Sequence, residues 1–419
     1  MALGLGAKGM DKAEILEALA AKRGDDVRWQ GGRTFGMVYD AGPEAHDVLE
    51  AVATMFLHDN ALNTAAFPSL GRIQSEVVGI TADLLHGPDA AGFLTSGGTE
   101  SILMAVKAAR QRGRDERGIT EPEMVLPVSA HAAFHKAAHY FGIEVRKVPV
   151  RSDWRADVDA ATALVNPNTV LVVGSAPQYP QGVIDPIPEL AALAASVDAN
   201  FHTDACMGGF VLPFMEMLGE PVAPWDFRVE GVTTISADIH KLGYAPKGAS
   251  VLLHRTKALR RYQTFVFDDW LGGFYASPNM QGTRAALPMA CAWAILHHLG
   301  TDGYQRLTRL TLDTRDRMVE GVRAIPELDV VGEPEAQIVA IAAAEGEAGA
   351  LLDVFALGDA LQARGWFHDR QKPPDALHAT VSAGNAPVIE NYLADLAVCV
   401  DEIRHQRLDD RSTSYATLE

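Results

Sequence analysis

Between Phe67 and about Ile235, short apolar runs alternate with amphipathic helical stretches. Strands that are apolar on both faces are typical of parallel sheets, because helices cover both faces of such a sheet. The pattern therefore predicts an α/β domain built on a large, doubly wound and mostly parallel sheet. The apolar runs are "MVLPVS", "TVLVVGSA", "ANFHTDA" and "GVTTISA", and the helical stretches include "ESILMAVKAARQR" and "PIPELAALAASVD".

The two ends of the chain show other patterns. A helical run from about Asp11 to Arg23, the turn-rich "GGRTFGMVYDAGPE" and a second helix from about Ala45 predict an N-terminal arm. After Arg284, a long helix, the strand pair "LDVVGEPEAQIVAIAA", a further helix, the strand "ALHATVS" and a final helix predict a smaller α+β domain. The predicted division is an arm over residues 1–55, a large domain over 56–285 and a small C-terminal domain over 286–419.

Charge and cysteine content limit the possible partners. The chain has 36 Lys and Arg against 54 Asp and Glu, a net charge of −18, which repels nucleic acids and anionic lipid surfaces. Cys206, Cys291 and Cys399 are scattered without the spacing of a disulfide framework or a zinc site, so we expect no metal and a reducing compartment. The N-terminus has no long apolar run, so we expect neither a signal peptide nor a membrane span, and a cytoplasmic location.

The stretch "TSGGTES" joins a strand-like run to a helix and has the composition of an anion site. Gly97 and Gly98 let backbone N–H groups approach an anion closely, Ser96 and Thr99 add hydroxyl donors, and the start of the helix adds partial positive charge. The spacing fits neither a nucleotide P-loop nor a dinucleotide fingerprint. A helix cap with a glycine turn is the alternative interpretation.

Two further strands end in residues of opposite charge. Asp204 ends "ANFHTD" and Lys241 follows "TTISADIH", so a parallel sheet would bring both to one edge. A buried carboxylate there needs a cationic partner, such as a protonated ring nitrogen, although a bond to a backbone turn is the plain alternative. A desolvated lysine is nucleophilic and can form a Schiff base, although a solvated loop lysine is the plain alternative.

These three features together suggest one cofactor. Pyridoxal 5'-phosphate presents a phosphate, a ring nitrogen and an aldehyde, and the anion site, Asp204 and Lys241 offer one group to each. His131, in "SAHAAFHKAAHYFG", could place a flat imidazole on the ring face, although a histidine at this position can also be a helix cap.

At these motifs the sequence resembles the pyridoxal-phosphate-dependent group II decarboxylases. The similarity covers roughly residues 35–285 and is weaker beyond, and within the family it is greatest to the branch that cleaves phosphorylated sphingoid bases. The resemblance implies a fold-type I enzyme, similar to aspartate aminotransferase, that works as a homodimer with its active site built across the interface. It runs through "NALNTAAFPSLGRIQSEVV", "TSGGTESILMAVKAAR", "SAHAAFHKAAHYFG", "GSAPQYPQGVIDPI", "HTDACMGGFVLPFM", "SADIHKLGYAPKGASVLL" and "DWLGGFYASPNMQGTRAA".

The resemblance also implies roles for residues around the cofactor. Lys241 would form the Schiff base, Asp204 would pair with the ring nitrogen, and His131 would stack on the ring. The phosphate would be bound by Gly98 and Thr99, with His240 as a donor or ring neighbour, and Gly282 and Thr283 would reach the phosphate site of the partner subunit.

Four positions bear on the substrate or depart from the family pattern. Lys247, in "APKG", is implied near the substrate as an acid or base, with a structural lysine bonded to loop carbonyls as the alternative. Tyr39 resembles a mobile aromatic at the substrate entrance, with a surface tyrosine as the alternative. Asn63 stands where the family usually has a histidine for the substrate phosphate, and His135 stands where an acidic residue is usual.

The resemblance favours one reaction over two alternatives. The leading hypothesis is a lyase that cleaves a phosphorylated sphingoid base, a substrate with a primary amine, by retro-aldol chemistry into a long-chain aldehyde and phosphoethanolamine. An L-amino-acid decarboxylase would use the same cofactor site, and the stretches "YASPNMQGTR" and "APKG" favour the lyase. An inactive scaffold is the third possibility, which the intact lysine, aspartate and anion site disfavour.

Overall fold

A computed structural model describes residues 5, 8–24, 26–27, 29–404, 406–409 and 412–413 of the chain. Its large sheet has seven strands in the order β1-β7-β6-β5-β4-β2-β3. Neighbours from β6 through β5, β4 and β2 to β3 are parallel, and β7 runs antiparallel to both β1 and β6. The predicted, mostly parallel sheet is therefore confirmed. The strands are β1 (Ala91–Thr95), β2 (Glu123–Pro127), β3 (Glu144–Val148), β4 (Thr169–Ser175), β5 (Asn200–Asp204), β6 (Thr234–Ala237) and β7 (Ser250–His254).

Helices cover both faces of this sheet, as the apolar character of its central strands requires. Every residue of β2, β4, β5, β6 and β7 is buried, whereas the edge strand β3 is partly exposed. The helices up to the end of the large sheet are α1 (Lys12–Lys22), α2 (Pro43–Met55), α3 (Pro68–Leu84), α4 (Gly98–Arg117), α5 (Ala133–Phe141), α6 (Val158–Leu164), α7 (Ile187–Ser196) and α8 (Leu212–Met217), and Trp29–Gly31 form a 3-10 turn.

The hairpin after the large sheet was not expected from the sequence. Following α9 (Lys257–Arg260) and a 3-10 turn at Arg261–Gln263, strands β8 (Phe265–Phe267) and β9 (Tyr275–Ser277) pair with each other alone. All three residues of β8 are exposed.

The C-terminal part mixes helices and strands, as the sequence predicts, and it contains a second sheet that is antiparallel. It follows the long helix α10 (Ala286–Arg323), and its strand order is β10-β11-β13-β12. The elements are β10 (Leu328–Val330), β11 (Ile338–Ala343), α11 (Val354–Ala363), β12 (Asp369–Gln371), β13 (Ala376–Thr380), a 3-10 turn (Ala383–Val388) and α12 (Ile389–Ile403).

Helix α10 connects the two sheets. Its backbone leaves the helical conformation at Gly300, where φ is 56°. Tyr304 and Leu312 pack in the apolar cluster of the large sheet, whereas Met318 and Val322 pack in the cluster of the small sheet. The division of the chain into an arm and two domains stays a prediction.

The N-terminal helix α1 is capped but lies on the surface. The Asp11 side chain accepts from the Glu14 N–H, the Glu14 side chain accepts from the Asp11 N–H, and none of the residues of α1 is buried. Within the described ranges, every helix is too short or too polar to span a membrane.

Candidate active site

A cavity of about 260 Å³ lies at the carboxyl ends of three neighbouring strands. Ser175 ends β4, Asp204 ends β5, and Asp238 follows the last residue of β6. Parallel strands present their chemistry at this edge, because their carboxyl ends meet there. The cavity is lined by Ser96, Gly97, Gly98, Thr99, Glu100, Ile102, His131, Ser175, Pro177, Tyr179, Asp204, Cys206, Met207, Asp238, His240 and Lys241.

The start of α4 forms one wall and has the properties of an anion site. Gly98 is the first residue of this helix, and among the described residues no side chain caps its end. A Cβ atom at Gly98 would lie 2.7 Å from Asp238 Oδ2 and 2.8 Å from Cys206 Sγ, so only glycine fits here. The N-terminal end of α4 therefore presents its free backbone N–H groups and its partial positive charge to the cavity.

Glu100 fixes the shape of this wall and was missed by the sequence reasoning. Its Oε2 accepts from the Ser96 N–H at 2.6 Å, and its Oε1 accepts from the Met280 N–H at 2.7 Å. The buried carboxylate thus ties the turn before α4 to the stretch that contains Gly282 and Thr283. The sequence did offer one indication of its role, because Glu100 lies three residues after Gly97, the first glycine of the turn.

Asp204 is held at the cavity wall by a buried polar network. Its Oδ1 accepts from the Cys206 N–H at 3.1 Å and lies 3.4 Å from Ser236 Oγ. Ser236 Oγ in turn lies 3.0 Å from His202 Nε2. Burial lowers the pKa of His202 to about 4, so this imidazole is neutral and leaves Asp204 without a cationic partner on that side.

Lys241 and His240 share a carboxylate that the sequence reasoning did not identify. Asp238 Oδ2 lies 3.0 Å from Lys241 Nζ and 3.6 Å from His240 Nε2. Burial raises the pKa of Asp238, but the charges of Lys241 and His240, together with hydrogen bonds from Ser250 and Lys241, outweigh it and hold the pKa below its usual range. Within the described part of the chain, Asp238 Oδ1 has no hydrogen-bond partner. Its position at the end of β6, matching that of Asp204 on β5, was the signal.

His131 lies on the cavity wall just before α5. Its Nδ1 accepts from the Ala133 N–H at 3.0 Å, which leaves the ring proton of a neutral imidazole on Nε2. Burial lowers the pKa of His131, and the charge of Asp204 acts in the opposite direction. A neutral, flat ring therefore faces the same space as Asp204 and Lys241.

Lys247 and Tyr39 contact each other, but they do not line this cavity. Lys247 Nζ donates to the His240 carbonyl at 2.7 Å and lies 4.8 Å from the centre of the Tyr39 ring. The residue as a whole is exposed, whereas its ammonium group is held against these two partners. This local burial, with the charge of Lys241, lowers the pKa of Lys247 to about 8. The two residues border a separate, mainly apolar pocket of about 420 Å³ next to Leu49 and Leu287.

The remaining predicted residues also lie outside the cavity. Asn63 is exposed, and its Oδ1 accepts from the Ala65 N–H at 2.9 Å. Gly282 and Thr283 are exposed as well. His135 lies on α5 beside a surface pocket with Glu123 and Arg146, so the structure gives it no contact with the cavity.

Comparisons with known proteins agree with this geometry. Residues 27–343 match the family model described as the pyridoxal-dependent decarboxylase conserved domain. A sphingosine-1-phosphate lyase from Arabidopsis thaliana is 42% identical over 400 residues, which cover 93% of this chain and 72% of that protein.

Two solved structures are similar over nearly the whole chain. A sphingosine-1-phosphate lyase from Burkholderia pseudomallei superposes with a TM-score of 0.91 at 40% identity, covering 97% of this chain and 94% of that one. A glutamate decarboxylase from Lactobacillus brevis superposes with a TM-score of 0.84 at 20% identity, covering 97% and 96%. These similarities confirm the predicted fold class and the resemblance drawn from the motifs.

Proposed function

The chain belongs to the pyridoxal-dependent decarboxylase family, and within that family we propose that it is a carbon–carbon lyase. Its substrate would be a phosphorylated sphingoid base, cleaved into a long-chain aldehyde and phosphoethanolamine. The observation that carries this proposal is the gathering of the anion site, Asp204 and Lys241 around one cavity. Identities of 42% and 40% to two sphingosine-1-phosphate lyases over more than nine tenths of the chain support the lyase reaction.

The residues of the cavity fit pyridoxal phosphate. The start of α4, which no side chain of the described residues caps, offers backbone N–H groups to a phosphate, and the buried Asp238 has an oxygen without a hydrogen-bond donor among the described residues. When bound, pyridoxal phosphate supplies an aldehyde that reacts with primary amines and a ring that accepts electrons from a breaking bond. Gly98 and Thr99 would bind its phosphate through backbone N–H groups, and His240 would lie beside them.

The other residues of the cavity would bind the ring nitrogen, the aldehyde and one face of the ring. Asp204, held by Cys206 and Ser236, would keep a proton on the ring nitrogen, because a carboxylate stabilises a cationic partner in a buried site. Lys241 Nζ would bind the aldehyde, with Asp238 fixing its position. The neutral imidazole of His131 would lie against the ring and exclude water from one face.

Residues outside the cavity are proposed to act on the substrate. Lys247 can gain or lose a proton near neutral pH, since its pKa is about 8, and Tyr39 holds its ammonium group. Asn63 is proposed to contact the substrate phosphate as an uncharged donor. We also propose a homodimer in which Gly282 and Thr283 reach the partner's anion site, because both are exposed and lie outside their own cavity.

A product analysis tests the reaction. The purified protein, loaded with pyridoxal phosphate, is incubated with sphingosine 1-phosphate and separately with a panel of L-amino acids. We expect equal amounts of long-chain aldehyde and phosphoethanolamine from the first and no carbon dioxide from the second. Lys241→Ala is the control and should give no product. Carbon dioxide from an amino acid, without aldehyde from the lipid, would overturn the lyase in favour of the decarboxylase.

A further inference from the structure

Four polar residues form a patch on one face of the large sheet, directly behind the cavity. In the pairing of β5 with β6, His202 lies opposite Thr234, and Asp204 lies opposite Ser236. Residues two apart in a strand point to the same face, so all four side chains share one face of the sheet. Each of the four is at most 7% exposed. A buried polar group costs free energy unless it is hydrogen-bonded, so the bonds within this patch decide what it does.

The carboxylate end of the patch sets the direction of these hydrogen bonds. In the role proposed for Asp204 its carboxylate is ionised, and an ionised carboxylate can only accept. Ser236 therefore donates its proton to Asp204 Oδ1 at 3.4 Å, while its oxygen accepts from the Cys206 thiol at 3.3 Å. With that proton committed, Ser236 Oγ can only accept from His202 Nε2, which lies 3.0 Å away. The proton of the imidazole is therefore on Nε2.

The other end of the patch supports the same direction. With its proton on Nε2, His202 has Nδ1 as an acceptor, and Thr234 Oγ1 lies 2.9 Å from it. The other acceptor near the Thr234 hydroxyl is the Phe201 carbonyl at 3.4 Å. That carbonyl already accepts from the N–H and the hydroxyl of Thr233, at 3.0 and 2.8 Å. The chain of donors thus runs from Thr234 through His202 and Ser236 and ends at Asp204.

The surroundings of His202 keep its ring neutral and fixed. Burial lowers the pKa of His202 to about 4 and outweighs the charge of Asp204, which acts in the opposite direction. The ring of Phe134, on α5, packs edge-on against the imidazole with centroids 5.7 Å apart and an interplanar angle of 65°. The imidazole therefore orients the Ser236 hydroxyl without adding a charge to the patch.

We propose that His202 is a positioning residue for Asp204, which it holds through Ser236 in the ionised form and the orientation that the ring nitrogen of pyridoxal phosphate requires. The inference rests on the role proposed for Asp204. Hydrogen bonds to a carboxylate favour its ionised form. Within the described residues, both hydrogen bonds of the Asp204 side chain go to Oδ1, from the Cys206 N–H and the Ser236 hydroxyl, which leaves Oδ2 for the ring nitrogen. Without the imidazole, Ser236 loses its nearest donor and its proton is no longer fixed on Asp204.

The test compares how the full chain, stripped of cofactor, binds two cofactors. Pyridoxal 5'-phosphate has the ring nitrogen, whereas 1-deazapyridoxal 5'-phosphate has a C–H group in its place and keeps the phosphate and the aldehyde. His202→Leu removes both ring nitrogens of the histidine. We expect its affinity for pyridoxal phosphate to fall by about tenfold or more, the size of one hydrogen bond to a charged group. Its affinity for the deaza compound should stay the same. Equilibrium dialysis measures both dissociation constants without any substrate.

Three further variants control for a purely structural effect. His202→Gln should recover most of the lost preference, because its amide NH₂ can donate to Ser236 from near the position of Nε2. Ser236→Ala should lose as much as His202→Leu, and the double variant no more than either single one. His254→Leu is the matched control. His254 is another fully buried histidine, opposite Thr234 on β7, but its Nε2 bonds Gln263 at 2.8 Å, so this variant should keep the wild-type preference.

The outcomes separate the proposal from the assumptions beneath it. An equal loss of affinity for both cofactors in His202→Leu, or the same loss of preference in His254→Leu, would overturn the proposal. If His202→Leu does not fold, Ser236→Ala carries the same test. Asp204→Asn should abolish the preference for the ring nitrogen, and a preference kept there would overturn the role of Asp204 itself. A preference lost in Asp204→Asn but kept in His202→Leu would refute the chain of hydrogen bonds alone. Since no substrate is present, failure of the proposed lyase reaction would leave every one of these results unchanged.

Discussion

Lys241 and Lys247 lie in one short loop but meet different partners. Lys241 Nζ faces the cavity and pairs with Asp238 at 3.0 Å, whereas Lys247 Nζ bonds the His240 carbonyl at 2.7 Å. Lys241→Ala should therefore abolish the bond that sodium borohydride fixes between protein and cofactor, and Lys247→Ala should keep it. Mass spectrometry of the reduced, digested protein measures both. A reduced cofactor found on Lys247 would reassign the aldehyde-binding role.

At this scale the sequence predicted residues that lie at or shortly after the carboxyl ends of strands. Gly98, Asp204 and Lys241 were identifiable because strand ends of a parallel sheet meet at one edge, and the structure brings all three to one cavity. Asp238 was missed because a carboxylate three residues before a lysine is common on exposed loops, so its position after β6 was a weak signal until the structure showed that it is buried. Tyr179, which lines the cavity, donates to Asp369 Oδ2 of the other sheet at 3.0 Å, and no local pattern in the sequence encodes such a contact.

At the scale of elements, Glu100 links the start of α4 to the stretch after β9. Both of its oxygens accept backbone N–H groups, at 2.6 and 2.7 Å. Glu100→Gln places an NH₂ group against one of these donors, so the free energy of unfolding should fall by about 1–3 kcal/mol. Urea unfolding measures this loss. Glu76→Gln is the control, since Glu76 accepts a bond from Trp293 Nε1 through one oxygen, which an amide can replace. Equal stability of Glu100→Gln and wild type would contradict the link.

Among the elements that the sequence did not predict are the edge strand β3, the short strand β12 and the hairpin of β8 and β9. The central strands are recognisable because both faces are buried, which requires a continuous apolar run. Strand β3, "EVRKV", has solvent on part of its surface, and β12, "DRQ", is short and polar, so neither has such a run. The hairpin of β8 and β9 differs from these polar strands, because it is apolar and its apolar side chains are nevertheless exposed in the isolated chain.

At the scale of the whole molecule, this hairpin is a candidate subunit contact. Phe265, Val266, Trp270, Leu271 and Phe274 are all more than half exposed. Contiguous apolar surface of this kind is unusual on a monomer and is typical of interfaces. It leads directly to the exposed stretch with Gly282 and Thr283. The homodimer proposed above would cover the hairpin and bring that stretch to the partner's anion site.

Mixing two inactive variants tests whether the active site is shared between subunits. Lys241→Ala removes the aldehyde-binding amine, and Thr283→Asp places a negative charge where the partner's phosphate would bind. Thr283 is exposed, so its substitution should leave the fold of its own chain intact. Each variant alone should be inactive.

In a mixed dimer, one site would carry both defects and the other neither, because a twofold interface exchanges the same residues in both directions. Unfolding, mixing and refolding equal amounts of the two variants should therefore restore about a quarter of wild-type aldehyde production, since half of the dimers are mixed and each has one intact site. If Gly282 and Thr283 served their own chain, every site in the mixture would carry one defect, and the mixture would stay as inactive as its components. An active Thr283→Asp variant would show that this stretch lies away from the phosphate altogether.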